Sequence, residues 1–447
     1  MKKALSLLLC LALVLGLMTA CGSAGGTELQ SGATTSGDAA ASGKTDRQVV
    51  KFWYLWGGAE EQVLLKAIDK YNASQDKYEV VGSMTDIQAQ TAGMASSSGP
   101  DITDIIDVNV ASLASNGVVT DLDDFIQKDN YDISDFNEAA MGLCSYQGKH
   151  YGLPLNAMIN MIYYNKADFD KAGITQMPTT LEELYDTACA LTVTDADGTI
   201  EQLGWPWMKD PTPVEIFFLA TYFGENWVSE DGKTATCDDN AMLAAYDYFM
   251  KYVNKYGRDN IEAFVGKYSG TASTTQDPLF TGAMAMRMDG MYLDASMVNA
   301  GFDPNNFGVF SMPTPADKTE LQGIQQVVSS IFIIPQNAGN KDGAWDFLKW
   351  VCSEEGMTFI DGGFQNEPAR MSLLKSTELS GKNPFYTDFV SAGQVNPVAR
   401  FPSVAVSDKY MSAITSATDS IFNGKSTAQE AMAKVAKDMT EKLQKAN

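Results

Sequence analysis

Short apolar runs alternate with amphipathic segments in the part of the chain that follows the first 46 residues. Residues 49–55, 78–81 and 102–108 have the length and composition of buried strands. Between them, residues 60–71 place apolar side chains at helical spacing, and residues 87–94 form a shorter helical segment. This alternation predicts a parallel sheet with right-handed β-α-β crossovers and helices on both of its faces.

The rest of the chain keeps the same character. The amphipathic helical pattern returns over residues 181–191, 241–253, 344–352 and 428–443, and residues 327–334 form another apolar run of strand length. About 400 residues make up this part of the chain, which is more than one hydrophobic core normally accommodates. The sequence therefore predicts an α/β protein with two or more lobes and no internal repeat.

The beginning of the chain has the pattern of an export signal. Two lysines precede an apolar run over residues 4–18, and small residues then lead to Cys21. This run is too short to span a bilayer comfortably. Residues 17–21, Leu-Met-Thr-Ala-Cys, resemble the bacterial lipobox, whose cysteine receives lipid; Met18 departs from the usual leucine. We expect a signal peptide over residues 1–20 and lipid on the cysteine, the alternatives being a plain secretory signal or a transmembrane helix.

Residues 21–46 form the next segment, which Gly, Ser, Ala and Thr dominate and which contains no aromatic residue. Such a composition buries too little apolar surface to offset the entropy of ordering the chain. We expect a flexible linker that holds the protein at the extracellular face of the cell membrane through its N-terminal lipid.

The charge balance narrows the classes of partner. The chain has 32 Lys and Arg against 56 Asp and Glu, a formal net charge of −24. Nucleic acids and anionic membrane surfaces bind basic faces, so we expect neither as a direct partner of the protein surface. Neutral and cationic ligands are compatible with this charge, whereas polyanionic ligands are disfavoured.

Residues for catalysis or metal binding are sparse. His150 is the single histidine, so any triad or multi-histidine site would need it, and it lies in a predicted hairpin around Gly148. No C-x-x-C motif occurs, and both disulfides and free thiols remain open for the cysteines that follow Cys21, which are Cys144, Cys189, Cys237 and Cys352. We expect no cofactor, no metal site and no catalytic residue. The many acidic residues leave open a carboxylate pair for glycoside hydrolysis, although no spacing in the sequence identifies one.

An ordered set of motifs carries a family resemblance. The motifs are Tyr-Gly-Leu-Pro at 151–154, Ile-Tyr-Tyr-Asn-Lys at 162–166, Ala-Gly-Ile at 172–174, Pro-Thr-Thr-Leu-Glu-Glu-Leu at 178–184, and Phe-Thr-Gly-Ala-Met-Ala-Met at 280–286 followed by Gly290. Together they resemble the extracellular solute-binding proteins, family 1, of bacterial carbohydrate ABC transporters. The resemblance spans about residues 47–445, and Leu181 stands where that family usually has tryptophan.

The resemblance implies a two-lobed α/β fold of the periplasmic-binding-protein type II, with the ligand cleft between the lobes. Open α/β sheets bind ligands beyond the carboxyl ends of their strands, which agrees with such a cleft. The first lobe is expected at 47–156 plus 286–329 and the second at 157–285 plus 330–447. Hinge crossings are expected near Leu155 and Asn156, at 284–288 and at 329–331.

The candidate ligand-binding residues follow from the chemistry of sugars. Sugars present apolar C–H faces and many hydroxyls, so their sites combine flat aromatic rings with amide or carboxylate groups. The candidates are Trp56, Asn109, Trp205, Trp207, Asp289, Tyr292, Gln325, Gln326 and Arg370. Core packing remains open for the tryptophans, solvated turns for Asp289 and the glutamines, and a salt bridge across the lobes for Arg370.

The sequence and the resemblance together predict a lipoprotein that captures a neutral oligosaccharide and delivers it to the permease subunits of an ABC transporter. This function needs no covalent chemistry. Two alternatives stay open: a binding protein for a cationic or peptide ligand, and a lipid-anchored glycoside hydrolase.

Overall fold

The computed structural model describes residues 47–205, 214–394 and 398–446. Cys21, the signal segment, the linker and Trp207 lie outside the described residues. No helix within the described ranges is both long enough and apolar enough to cross a membrane.

Strands and helices alternate over residues 48–106, as the sequence pattern predicts. The strands are β1 (Gln48–Tyr54), β2 (Tyr78–Met84), β3 (Ile102–Ile106), β4 (Ser145–Tyr146), β5 (Lys149–His150), β6 (Gly152–Pro154), β7 (Met161–Asn165), β8 (Val193–Thr194), β9 (Ile200–Gln202), β10 (Met286–Asp289), β11 (Phe307–Phe310), β12 (Gln325–Gln326), β13 (Ser330–Ile333) and β14 (Val398–Ala399). The helices are α1 (Gly58–Ser74), α2 (Ile87–Met94), α3 (Val110–Ser115), α4 (Asp123–Asp129), α5 (Glu138–Leu143), α6 (Lys166–Lys171), α7 (Leu181–Leu191), α8 (Val214–Tyr222), α9 (Asn240–Tyr256), α10 (Arg258–Lys267), α11 (Leu293–Asn299), α12 (Lys341–Val351), α13 (Glu354–Phe364), α14 (Thr377–Ser380), α15 (Tyr386–Gly393), α16 (Ser407–Phe422) and α17 (Ala428–Ala446).

The first sheet has five strands in the order β2-β1-β3-β13-β6. Strands β2, β1 and β3 are parallel, as expected for β-α-β units, with Phe52 opposite both Gly82 and Ile102. Strand β13 runs antiparallel to both β3 and β6. The sheet is therefore mixed, because β13 and β6 enter it from later parts of the chain rather than through a helical crossover.

The second sheet has three strands in the order β10-β7-β11, and both of its pairings are antiparallel. Alternate side chains of β7 point to opposite faces of this sheet, since the side-chain period of a strand is two residues. Tyr163 packs with the first of two hydrophobic clusters and Ile162 with the second. The second sheet therefore lies between the two clusters.

The first cluster contains the first sheet together with α1, α12 and α13, for example Phe52, Leu64 and Phe347. The second cluster is built mainly from helices α7, α8, α9, α16 and α17, for example Leu184 and Tyr410. The amphipathic patterns read from the sequence bury the expected faces, since Leu64, Ala67, Ile68 and Tyr71 are the buried residues of α1.

The strand pairings differ from the expected division of the chain in two places. Residues 286–329 are expected in the first lobe, yet β10 and β11 pair with β7 in the second sheet. Residues 330–447 are expected in the second lobe, yet β13 joins the first sheet and α12 and α13 pack in the first cluster. An apolar run predicts that a strand exists but does not specify its partner, so the pattern alone does not assign these segments.

Two of the expected hinge crossings lie side by side. Ser329 Oγ donates a hydrogen bond to the carbonyl oxygen of Asn156 at 2.6 Å, and the amide nitrogen of Ser330 donates to Asn156 Oδ1 at 2.8 Å. The third expected crossing, at 284–288, overlaps β10, whose residues are paired with β7 throughout. A continuous strand pairing is a poor place for a hinge, so we retain only the first two crossings as candidates.

Candidate functional site

Trp56 lies directly beyond the carboxyl end of β1. The amide nitrogen of Leu55 donates to Asp104 Oδ1 at 3.0 Å, which fixes the chain just before the tryptophan. The indole ring is half-buried, with ring centroids 5.9 Å from Phe332 and 5.4 Å from Phe364. The ring therefore packs against two aromatic rings while the residue stays partly exposed, as a stacking platform requires.

The Asp289–Tyr292 turn begins at the last residue of β10 and contains a second aromatic ring. A Cβ atom at Gly290 would lie 2.5 Å from Cε1 of Tyr292, so the position of the Tyr292 ring requires glycine there. Tyr292 is half-buried. Burial and the carboxylate of Asp289 raise the pKa of Tyr292 well above its usual value, and the charge of Glu60 adds to this rise. Glu60 in α1 is thus within electrostatic reach of Tyr292.

The side chain of Asp289 is buried and contacts other groups of the protein. It is 2% exposed, its Oδ1 accepts a hydrogen bond from the amide nitrogen of Gly290 at 2.9 Å, and its Oδ2 lies 3.0 Å from Nε of Arg287. This burial corrects the expectation of a direct ligand contact or a solvated turn. Arg287 and its second partner Asp277 were not singled out in the sequence, because a lone arginine in an apolar strand gives no pattern to detect.

The turn is connected to the surroundings of Trp56 through the end of α13. Asn383 Nδ2 donates to the carbonyl oxygen of Met291 and to Oε1 of Gln365, both at 3.0 Å. Gln365 has a left-handed backbone, with φ of 58°, and directly follows Phe364, which contacts the Trp56 ring. The structure therefore brings Trp56 and the Asp289–Tyr292 turn into one neighbourhood.

Asn109 lies on a short 3₁₀ helix, Asp107–Asn109, that follows β3. Its side chain is half-buried, does not cap the helix that follows, and lines a small cavity together with Leu55. This position beyond the end of β3 agrees with the place expected for a ligand-facing amide.

Trp205 lies in the second cluster rather than at a ligand surface. It is 1% exposed, and its ring centroid is 5.4 Å from that of Tyr248 and 4.8 Å from that of Tyr252. Trp205 is therefore a core residue, because the neighbouring rings of α9 cover it. Trp207 lies outside the described residues, and its expected ligand contact stays a prediction.

The glutamines expected at the cleft are also enclosed. Gln325 is 0% exposed and Gln326 is 4% exposed. Gln326 Oε1 accepts a hydrogen bond from Thr221 Oγ1 of α8 at 2.7 Å. Neither residue is a solvated turn, because both are buried in β12, which pairs with β14.

Arg370 forms its contacts within one region of the protein. Its Nη2 donates to Tyr131 Oη at 2.9 Å, its Nε donates to the carbonyl oxygen of Cys352 at 2.7 Å, and its Nη1 lies 3.2 Å from Asp135 Oδ2. Cys352 belongs to the first cluster, and Tyr131 packs against it. The guanidinium therefore braces this cluster, which corrects both the expected ligand contact and the expected bridge across the lobes.

Buried carboxyl groups gather where the crossing segments meet. Glu367, whose carbonyl oxygen accepts from the amide of Ala157, is 3% exposed, and burial raises its pKa to about 8. Asp361 is 0% exposed, and burial likewise raises its pKa well above the usual value. Asp107, whose Oδ2 accepts from the amide of Ser329, has its pKa raised to about 6 by burial. Single acidic residues gave no signal in the sequence, because their burial depends on distant segments.

The remaining residues that could carry chemistry are His150, the cysteines and possible metal ligands. His150 lies in the predicted hairpin, with its Nδ1 2.7 Å from Asp123 Oδ1. Within the described ranges, no group of three or more His, Cys, Asp or Glu is arranged to hold a metal ion. The thiols of Cys144, Cys189, Cys237 and Cys352 are free in this structure.

Comparison with known proteins places the chain among binding proteins. The profile of the bacterial extracellular solute-binding protein family matches residues 57–358. A putative binding protein of Brucella abortus is 27% identical over 295 residues, which cover 65% of this chain and 67% of the relative. The diacetylchitobiose binding protein DasA of Streptomyces coelicolor is 24% identical over 438 residues, which cover 94% of each chain.

A solved structure confirms the fold class. The mannotriose-bound structure of CpMnBP1 has a TM-score of 0.77 and 24% sequence identity, and the match covers 87% of this chain and 99% of that one. The chain therefore has the two-lobed α/β fold that the sequence motifs imply.

Proposed function

The chain belongs to the bacterial extracellular solute-binding proteins, and we propose that it captures a neutral oligosaccharide and delivers it to the permease of an ABC transporter. The observation that carries this proposal is the half-buried Trp56 ring beyond the end of β1, in the same neighbourhood as the Tyr292 ring. Aromatic rings near polar side chains match the apolar faces and hydroxyls of a sugar.

Known relatives support the same class of ligand. The names of the diacetylchitobiose binding protein and of the mannotriose-bound CpMnBP1 structure both give carbohydrate ligands. The formal net charge of −24 disfavours anionic ligands such as sugar phosphates. These observations favour a neutral sugar for this chain and leave its length and linkage to experiment.

The proposal includes a membrane anchor. The lipobox-like residues before Cys21 and the Gly- and Ser-rich segment after it support a lipid-anchored protein on a flexible linker. Such an arrangement would keep the binding protein close to its permease while leaving it free to reorient.

A thermal-shift screen tests the proposed ligand class. A ligand that binds only the folded state raises the melting temperature, so we expect at least one of maltotriose, mannotriose and diacetylchitobiose to raise it. Chromatography of the same mixtures should recover each sugar uncleaved. A shift with a cationic peptide but with no carbohydrate would contradict the proposal, as would the appearance of cleavage products.

A further inference from the structure

Two chain segments connect the first sheet to the rest of the protein and lie side by side. Residues 155–158 follow β6 and lead to β7, and residues 327–329 lead from β12 to β13. The amide nitrogen of Met158 donates to the carbonyl oxygen of Val328 at 2.9 Å, and the amide nitrogen of Val328 donates back at the same distance. Any movement of one lobe against the other acts on these two crossing segments.

A third stretch, residues 367–369, lies along the first crossing segment. The amide nitrogen of Ala157 donates to the carbonyl oxygen of Glu367 at 3.0 Å, and that of Ala369 donates to the carbonyl oxygen of Leu155 at 3.1 Å. This stretch follows α13, which carries Asp361. The side chains of Asp361 and Glu367 are called the hinge carboxyls, because both lie against the backbone that crosses between the lobes.

Asp361 is enclosed without a hydrogen-bond donor. It is 0% exposed, and neither of its carboxyl oxygens has a hydrogen-bond partner among the described residues. The side chain of Asn156 lies near enough to favour the charged form of Asp361, which lowers the pKa of that carboxyl less than burial raises it. Asn156 Nδ2 nevertheless has no partner either, while its Oδ1 accepts from the amide nitrogen of Ser330 at 2.8 Å. A buried carboxylate without a donor is costly, so these surroundings favour the protonated acid.

Glu367 is in the same condition. It is 3% exposed, its Oε1 accepts a long hydrogen bond of 3.5 Å from the amide nitrogen of Ile159, and its Oε2 has no partner among the described residues. Burial raises the pKa of Glu367 to about 8, and burial together with the charge of Glu367 raises the pKa of Asp361 well above its usual value. Two enclosed carboxyls that repel one another cannot both ionise cheaply.

The other titratable groups around the hinge carboxyls do not compensate a negative charge. Both carboxyls act electrostatically on Tyr386 of α15, Glu367 acts on Tyr163 of β7, and Asp361 acts on Cys352. Burial raises the pKa of each of these three groups above its usual value, so each is neutral. Each also donates its hydrogen to a backbone carbonyl oxygen rather than to a carboxyl.

The charged groups nearby leave the hinge carboxyls without a cation. Arg370, three residues after Glu367, is paired with Asp135, whose Oδ2 lies 3.2 Å from Nη1. In the described part of the chain, no Lys or Arg forms an ion pair with either hinge carboxyl. The second crossing segment faces a further acid, since Asp107 Oδ2 accepts from the amide nitrogen of Ser329 at 3.2 Å. The crossing segments are therefore lined by buried acids and by neutral groups.

We propose that Asp361 and Glu367 form a proton-controlled catch on the movement of the lobes: in their protonated form they hold the crossing segments as in this structure, and in their ionised form they release them. A rearrangement that brings water to the carboxyls lets them ionise at an ordinary pH, so this structure binds the proton more tightly than the rearranged form does. The inference goes beyond the capture of a sugar, because it concerns the movement of the ligand-free protein.

The sign of the pH dependence follows from this difference in proton binding. Below the ordinary pKa of a carboxyl, both arrangements are protonated and the catch is fully engaged. The advantage of the arrangement in this structure is lost as the pH rises through the pKa of Glu367, about 8. Rising pH therefore shifts the population toward the rearranged form.

Solution X-ray scattering of the ligand-free full chain at about pH 6 and about pH 9 tests the catch. We expect the radius of gyration of the wild type to change between these two values and Glu367→Gln to retain less than half of that change, because an amide cannot ionise. Asp361→Asn is the second variant. Glu355→Gln is the matched control, because Glu355 lies on the same helix as Asp361 and is 58% exposed, and it should retain the whole change.

Two spectra accompany the scattering. Near-ultraviolet circular dichroism should show native side-chain packing in each variant at both pH values. The infrared difference spectrum between the two pH values should lose the carbonyl band of a protonated carboxylic acid in the wild type, and this loss should be smaller in Glu367→Gln.

A radius of gyration that is the same at both pH values in the wild type, or a change that Glu367→Gln and Asp361→Asn both retain in full, would overturn the catch. A protonated Glu367 in the infrared spectrum without any change in the radius of gyration would likewise overturn it, since the proton would then serve only the stability of the fold. Loss of native packing together with the change would show unfolding rather than movement of the lobes and would also refute it. Because no ligand is present, each of these outcomes leaves the proposed capture of a sugar untouched.

Discussion

Arg287 and Asp277 form an enclosed ion pair beneath the Asp289–Tyr292 turn. Nη1 of Arg287 lies 2.9 and 2.8 Å from the two carboxylate oxygens of Asp277, and the residues are 1% and 0% exposed. The same guanidinium approaches Asp289 through Nε at 3.0 Å. One buried cation thus holds two carboxylates and, through Asp289, the base of the turn that presents Tyr292.

Removing this cation should be strongly destabilising. Arg287→Met would leave Asp277 and Asp289 buried without a counter-charge, and breaking a buried ion pair in this way costs about 3–5 kcal/mol. Urea denaturation measures the free energy of unfolding. Arg258→Met is the control, because Arg258 pairs with the exposed Asp259 and such surface pairs contribute about 0–1 kcal/mol. Equal effects of the two substitutions would contradict a structural role for Arg287.

Substitution of Trp56 should mainly change the affinity for sugar, whereas substitution of Trp205 should mainly change the stability of the protein. Trp56→Ala should weaken sugar binding about tenfold or more, as removal of a central aromatic anchor does. Trp205→Ala should instead lower the free energy of unfolding by about 3–5 kcal/mol, because Trp205 fills the second cluster. Calorimetric titration and thermal melts measure both quantities. Unchanged affinity with a large loss of stability in Trp56→Ala would make Trp56 a core residue.

Glu367 should make stability depend on pH. Burial raises its folded-state pKa to about 8 from an ordinary value of 4.5, so the folded protein binds this proton more tightly than the unfolded chain does. The stability from this proton is complete below the unfolded pKa and is lost as the pH rises through about 8. Asp361 shifts in the same direction.

Urea denaturation across this pH range gives the measurement. The free energy of unfolding should fall between about pH 5 and 8, and Glu367→Gln should reduce the slope, since each unit of pKa shift corresponds to about 1.4 kcal/mol. Glu355→Gln is the control, because Glu355 is 58% exposed beside Lys70. A slope that Glu367→Gln leaves intact would show that Glu367 does not hold its proton in the folded state.

Most helices and strands could be predicted from the sequence, whereas the strand with which each strand pairs could not. Residues 87–94 and 181–191 form helices with the expected bounds, because local apolar spacing determines them. The placement of β10 and β13 depends on which sheet edge each strand meets, and this information is not local to their sequence. The roles of Arg287 and Glu367 could not be predicted for the same reason, because distant segments of the chain form their surroundings.

The proposed lipid anchor predicts a simple change in localisation. Cys21→Ser removes the thiol that would carry the lipid, so the variant should appear in the medium while the wild type stays with the membranes. Cell fractionation followed by immunoblotting measures this distribution. Membrane association that is the same in both proteins would refute the anchor.

The proposed hinge predicts compaction on binding. Closure of two lobes around a ligand should lower the radius of gyration measured by solution X-ray scattering. Each sugar that binds is compared with a sugar that does not bind at the same concentration. Tight binding with no change in the radius of gyration would indicate a site that forms without movement of the lobes.

Calorimetric titration of the purified protein with maltotriose, mannotriose and diacetylchitobiose measures directly whether the chain binds a neutral sugar. We expect saturable binding of at least one of these sugars at a ratio of one ligand to one chain, and recovery of that sugar unchanged afterwards. The absence of measurable binding to every neutral carbohydrate tested, together with saturable binding of a cationic peptide, would contradict it.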